Sequence, residues 1–226
     1  MRIHGWDMAL NHAAFIQLDD GKLTGFWYIT DIAGSAQRSK SHGFRMPLLN
    51  TKDRHLRGID RLATMEEFIK DVILVNEPDC IGIEDYAIRA EQGAHYLGEM
   101  GGLARLLAYH SGAHLRLHDP ISLKMFVTHD GTADKGLMRE SVLERWGVNF
   151  GIYDVPPKPG KKGNHQTSED LCDAFGLAQL VWVEVQLRSG ALTMDKLEHD
   201  KERQVFMRVT KTYPVSLLGR DWIRKG

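Results

Sequence analysis

The segment Arg2-Ile-His-Gly-Trp-Asp-Met8, with His12-Ala-Ala-Phe-Ile-Gln-Leu18 and Leu23-Thr-Gly-Phe-Trp-Tyr-Ile-Thr30 after it, decides how the chain reads. Each run has the length and the β-branched and aromatic content of a strand. Between the second and third stands Asp19-Asp20-Gly21-Lys22, whose Asp-Gly pair tolerates the positive φ angles of a tight hairpin turn. The three runs predict an antiparallel meander. In the first of them an acid, Asp7, lies between Trp6 and Met8. A carboxylate in a central strand costs free energy unless something compensates it. Asp7 is therefore the first candidate functional residue.

Working outward, the polar stretch 33–55 reads as a long loop. From His55 to Val75 apolar residues recur at helical spacing, and Asn76-Glu77-Pro78 stops that helix. Cys80-Ile-Gly-Ile-Glu84 is a short apolar run of the kind that forms a buried parallel strand. A small-residue-rich helix is expected over 91–111, ended by Gly112. A strand is expected over His114–His118. Asp119-Pro120 then pairs an N-cap with a proline at the first helical position, and another helix is expected over 133–146. A Pro/Gly loop covers 151–167, and Ser168 is expected to cap a last long helix, 169–187. A meander followed by alternating helices and strands predicts an α/β fold with a mixed five-stranded sheet and helices on both faces. One domain is expected over 1–187, with a C-terminal extension at 188–226.

Composition narrows the classes. The 226 residues are 42% hydrophobic and 26% charged, enough for a sizeable core without disulfides. Cys80 and Cys172 stand far apart in apolar surroundings and read as reduced core thiols. No run is long enough to span a membrane, and no signal-peptide pattern opens the chain, so a cytoplasmic location is expected. The net charge of −1 excludes a general polycation. It does not exclude local basic patches, such as Lys158, Lys161 and Lys162.

Three further acids join Asp7. Glu84 closes the Cys80–Glu84 run as Asp7 nearly closes the first strand. Asp170 and Asp173, three apart on the last helix, share a face with Ala174 and Leu177. Four converging carboxylates repel one another at low dielectric. Their natural counter-ion is a hard divalent cation with oxygen ligands, Mg²⁺ or Mn²⁺. Two such ions, about 3.5–4 Å apart, are a known device for phosphodiester cleavage. Taken singly, each acid has a plainer reading. Asp7 could bond a backbone amide, Glu84 could pair with Arg89 or Arg105, and Asp170 could be a first-turn acid favoured by the helix dipole.

The patterns Ile3-x-Gly5-x-Asp7, Ile81-Gly-Ile-Glu84-Asp85 and Glu169-Asp170-x-x-Asp173-Ala174 together resemble those of RuvC-type Holliday-junction resolvases, within the RNase H-like superfamily. Ser122-Leu123-Lys124 followed by Ala133-Asp134-Lys135 is similar to the stretch carrying that family's two active-site lysines. The resemblance implies an RNase H-like fold, a homodimer, and paired nicking of four-way DNA junctions with Mg²⁺ or Mn²⁺, two ions per site. It implies Asp7, Glu84, Asp170 and Asp173 as metal ligands, and Lys124 and Lys135 as phosphate contacts near the scissile bond. Tyr86 and Arg89 beside Glu84, with Lys158, Lys161 and Lys162, are the expected DNA contacts. The tail residues Arg203, Arg208, Lys211, Arg220 and Arg224 are candidates for duplex arms. The chain departs from the family at Met8-Ala-Leu-Asn11, where Pro-Gly is usual after the first acid. The stretch 31–55, the loop 154–167 and the tail are also enlarged, as expected of a divergent or viral relative acting in a host cytoplasm. Two other readings of the same fold are an RNase H or exonuclease, and a branched-DNA-binding module without catalysis.

Overall fold

A computed structural model describes residues 1–9, 12–30, 43–47, 57–85, 94–154 and 165–224. The strands are β1 (Arg2–Met8), β2 (His12–Asp19), β3 (Lys22–Thr30), β4 (Gly43–Pro47), β5 (Cys80–Glu84) and β6 (His114–His118). They form one sheet in the order β4-β3-β2-β1-β5-β6. β1 to β3 are the antiparallel meander, and β1, β5 and β6 run parallel. The five expected strands are all present. A sixth, β4, pairs parallel to β3 inside the stretch read as loop. Its five residues carry no strict alternation, which is why the sequence did not mark it. The hairpin turn is as expected: Asp20 and Gly21 both have positive φ, 48° and 78°, as a type I′ turn requires.

Alternation along the strands sorts side chains onto two faces. One face carries Ile3, Ala14, Ile16, Tyr28 and Cys80; it packs against α3 (Pro120–Thr128), α4 (Lys135–Trp146) and α5 (Gln166–Ser189). The other carries Trp6, Phe15, Ile29, Ile81 and Ile83 against α1 (Arg57–Phe68) and α2 (Ala94–Ser111). α1 runs on through a π-helical turn, Ile69–Ile73, and a short 3-10 turn, Leu74–Asn76. The left-handed Glu77 then ends it beside Pro78.

The first face is unusually tight. Gly5 and Gly82 are register partners on β1 and β5, and both face α5. A Cβ at Gly5 would collide with the Ala174 carbonyl and stand 2.6 Å from the Ala178 nitrogen. One at Gly82 would lie 2.8 Å from Val181 Cγ2. Glycine therefore lets helix backbone rest almost directly on strand backbone. This contact brings the start of α5 over the C-terminal ends of β1 and β5, two residues beyond the glycines.

Residues after α5 pack back on the same layer. α6 (Asp200–Met207) lies against α3, and Leu197, Val205, Phe206 and Leu217 are buried in the cluster shared with α5. Ile223 exchanges two backbone hydrogen bonds with Leu115, of 3.0 and 3.1 Å, along the outer edge of β6. Arg116 and Glu184, almost wholly buried, form a two-pronged ion pair at 2.6 and 3.1 Å. Arg116 also donates to the Asp221 and Arg220 carbonyls and lies 4.5 Å from the centre of the Trp222 ring. Arg188 donates to Glu184 at 2.8 Å.

Candidate functional site

The site is assembled by register. Asp7 faces Ala14 on β2, and Ala14 faces Tyr28 on β3. On the other side Trp6 pairs with Ile83, so Asp7 and Glu84 stand one step further along the same parallel pair. Glu84 in turn pairs with His118 on β6. Tyr28, Ala14, Asp7, Glu84 and His118 thus form one row across five strands, on the face covered by α5. Asp170 and Asp173 lie in the first two turns of α5, N-terminal to the Ala174 and Ala178 that touch Gly5.

The electrostatics show that the four acids converge. Burial pushes the Asp7 carboxyl well above the usual carboxylate range, and Asp170, Asp173 and Glu84 push it further. Burial and then Asp173 carry Glu84 up to about 7, against the opposing pull of Lys135 and Lys124. Asp173 is also raised, by burial, although Lys135 pulls it down. The Lys135 ammonium sits directly on Asp173 Oδ2. Burial disfavours its charge, but Asp173 and Asp7 outweigh burial and the net shift is upward. Lys135 therefore stands among the acids, and Lys124 lies near enough for its charge to lower the Glu84 and Asp173 carboxyls.

Asp170 is held differently. Gln166 Nε2 donates to its Oδ1 at 2.7 Å, and the Tyr28 hydroxyl donates to its Oδ2 at 2.9 Å. His12 Nδ1 lies 2.7 Å from the same Oδ2, off the hydrogen-bond axis. Among the described residues, no hydrogen bond or ion pair reaches the Asp7 or Glu84 carboxylates. Arg105, a possible partner of Glu84 on sequence grounds, instead pairs with the next residue, Asp85, at 2.5 Å. Tyr213 donates to the other oxygen of Asp85.

The remaining expectations fare unevenly. Tyr86, Arg89, Lys158, Lys161 and Lys162 lie outside the described residues. Asp119 caps α3 as its position suggested, and Asp134 caps α4, which starts two residues later than expected. Ser168 is not the cap of α5, which starts two residues earlier. Its backbone N–H and hydroxyl donate instead to Asp154, at 2.9 and 2.8 Å. Arg203, Arg208 and Arg220 are engaged within the chain, by Asp200, Asp119 and the Tyr213 ring respectively. Sequence reasoning missed Tyr28, Gln166, His12 and His118. His118 is fully buried with neither ring nitrogen hydrogen-bonded, and burial with Arg116 and Arg220 nearby keeps its imidazole neutral. The alternation Phe26-x-Tyr28 marked the inward face but could not show that its hydroxyl reaches a helix 142 residues later.

Among the described residues, no three His, Cys, Asp or Glu side chains already stand as a ready-made metal cage. Lys135 lies on Asp173, and Tyr28 and Gln166 hold Asp170. A cleft of about 690 Å³ lies at the opposite end of the sheet, between Met1, Asp79 and His114, and none of the four acids lines it. The acids instead gather at the C-terminal ends of the parallel strands, where open α/β sheets place their ligands.

A sheet with an antiparallel meander joined to parallel strands, covered by helices on both faces, is the RNase H-like architecture. Two solved structures share it: RuvC of Thermus thermophilus, and T. thermophilus RuvC in complex with a Holliday junction substrate. The first has a TM-score of 0.52 and 16% identity, covering 84% of this chain and 97% of that one. The second has a TM-score of 0.52 and 16% identity, covering 79% and 91%. At this identity the likeness is one of fold. No family model matches the chain, and no curated protein matches it by sequence. Among the described residues, no helix is long and apolar enough to cross a membrane.

Proposed function

We propose that this chain is a divalent-metal-dependent endonuclease acting on branched DNA, four-way junctions above all. The observation that carries the reading is the convergence of Asp7, Glu84, Asp170 and Asp173 around Lys135, with the carboxyls of Asp7, Glu84 and Asp173 raised first by burial and then by the neighbouring acids. A raised carboxyl marks a demand for positive charge that one lysine does not meet. The donor set is all oxygen and anionic, which fits Mg²⁺ or Mn²⁺ rather than a soft metal. Asp7 and Glu84 offer carboxylates without a competing donor among the described residues, and Asp170 and Asp173 complete the set. Bound there, a pair of such ions would activate water and stabilise the departing 3′ oxygen and the charge on phosphorus.

The chain's own residues do the rest. Gly5 and Gly82 fix the distance between the helix acids and the strand acids. Lys135 offsets part of the charge, and Lys124 adds a second cation toward Glu84 and Asp173. Both would then meet phosphate oxygens next to the scissile bond. Tyr86 and Arg89 are assigned to the junction, and Lys158, Lys161 and Lys162 to its arms. A homodimer belongs to this reading, because paired nicks across a junction need two sites. The shared fold with a protein solved on a Holliday junction supports it.

The test is incubation with labelled four-way junction, flap, RNA–DNA hybrid and linear duplex, in Mg²⁺ or EDTA. Symmetric nicks in the junction, lost in EDTA, are expected. Preferential hybrid cleavage would instead indicate an RNase H, and tight junction binding without cleavage in Mg²⁺, or with Mn²⁺ in its place, a binding module. Asp7→Asn should abolish cleavage and keep junction binding; cutting at the wild-type rate would remove Asp7 from the chemistry.

A further inference from the structure

The four acids are not equivalent. Asp170 is the only one whose two oxygens are both held by neutral side-chain donors among the described residues: Gln166 on Oδ1 at 2.7 Å and Tyr28 on Oδ2 at 2.9 Å. These donors come from different elements. Gln166 opens α5, one turn before Asp170. Tyr28 is 1% exposed and stands on β3, two strands away from Asp7. Its hydroxyl passes over β2 at Ala14, whose methyl side chain leaves that path open. His12, at the start of β2, closes the third side at 2.7 Å from Oδ2.

We infer that Tyr28, with Gln166 beside it, is a positioning residue that fixes the Asp170 carboxylate before any cation arrives. The inference rests on the metal-site reading proposed above and adds a division of labour within it. Asp170 is held in one orientation by neutral donors. Asp173 is charge-paired to Lys135, and Asp7 and Glu84 carry the repulsion. A carboxylate with both oxygens fixed loses little side-chain entropy on coordination, and each oxygen keeps a lone pair for a metal. Outer partners of this kind are typically worth 10–100-fold in metal affinity.

The experiment is calorimetric titration of the full chain with Mn²⁺ alone, without DNA, for wild type, Tyr28→Phe, Gln166→Ala, Asp170→Asn and the double variant Tyr28→Phe/Asp170→Asn. Wild type should bind Mn²⁺, and Tyr28→Phe should weaken that binding about tenfold. Gln166→Ala should weaken it in the same direction, and supplies the answer if Tyr28→Phe fails to fold. In the Asp170→Asn background the Tyr28→Phe change should have no further effect, because the group it positions is gone. A merely structural tyrosine would weaken binding equally in both backgrounds, and that result would overturn the inference. So would Mn²⁺ binding to Tyr28→Phe as tight as wild type or tighter. If wild-type protein binds no Mn²⁺ in the millimolar range, the metal reading itself fails, and the positioning role falls with it.

Discussion

Replacing Glu84 with glutamine should make the metal-free protein more stable at alkaline pH. Burial and Asp173 carry the Glu84 carboxyl from its ordinary 4.5 to about 7. Ionising it inside the fold therefore costs about 3 kcal/mol relative to the unfolded chain. Glutamine keeps the shape and part of the desolvation cost but not the charge, so a net gain of about 1–2 kcal/mol is expected. For a chain of this size that raises Tm by roughly 2–8 °C. The sign fixes the pH window. A carboxyl raised in the folded state binds its proton more tightly there. Wild-type stability should consequently fall as pH rises from 4.5 to about 7 and stay reduced above it. The advantage of Glu84→Gln should be absent near pH 4, grow across that interval and plateau near pH 8. The assay is thermal melting in EDTA at pH 4 to 8, followed by circular dichroism. A variant equally or less stable than wild type at pH 8 would refute the argument that burial and Asp173 together disfavour the Glu84 charge.

Three other perturbations probe the same frame. Lys135→Ala should lower the stability of the metal-free protein above neutral pH, since it removes the cation on Asp173, and should slow junction cleavage while Mn²⁺ binding persists. Unchanged melting and kinetics would return Lys135 to the solvated surface. Gly5→Ala should cost about 3 kcal/mol or more by urea denaturation, because the added methyl meets helix backbone rather than a side chain that can turn away; a cost under about 1 kcal/mol would contradict the contact. Arg116→Met should cost about 3–5 kcal/mol by leaving Glu184 buried with only Arg188 beside it. The double variant Arg116→Met/Glu184→Leu should recover much of the loss, and additive losses would count against a buried pair.

Much of the fold was legible because its rules are local. Length with β-branched and aromatic content gave β1 to β3, Asp-Gly gave the hairpin, and Asp119-Pro120 gave the start of α3. The strand acids were legible because a carboxylate on a buried strand breaks the pattern around it, and Gly5 and Gly82 stood in the same short motifs. Their purpose was not legible, since the approach of α5 to the sheet is a property of three segments together. The same limit hid Tyr28, whose partner is 142 residues away, and the hydrogen bonds that Asp154 accepts from Ser168, 14 residues later. β4 escaped because an edge strand of five residues needs no strong alternation. The intrachain partners of Arg203, Arg208 and Arg220 were hidden for a related reason: composition shows charge, not which acid or ring the fold sets beside it.

The ion pair between Arg116 and Glu184 bears on the acids at the far end of the same helix. It pins the C-terminal half of α5 to β6, while Gly5 and Gly82 seat its middle. A helix so anchored cannot swing aside to let crowded negative charges drift apart. Their tension stays at the N-terminal end of the helix, and the ways left to discharge it are to take up protons or to admit positive ions. Under the proposed metal-dependent reading, this salt link at the far end of the helix would hold the four carboxylates together before any cation arrives.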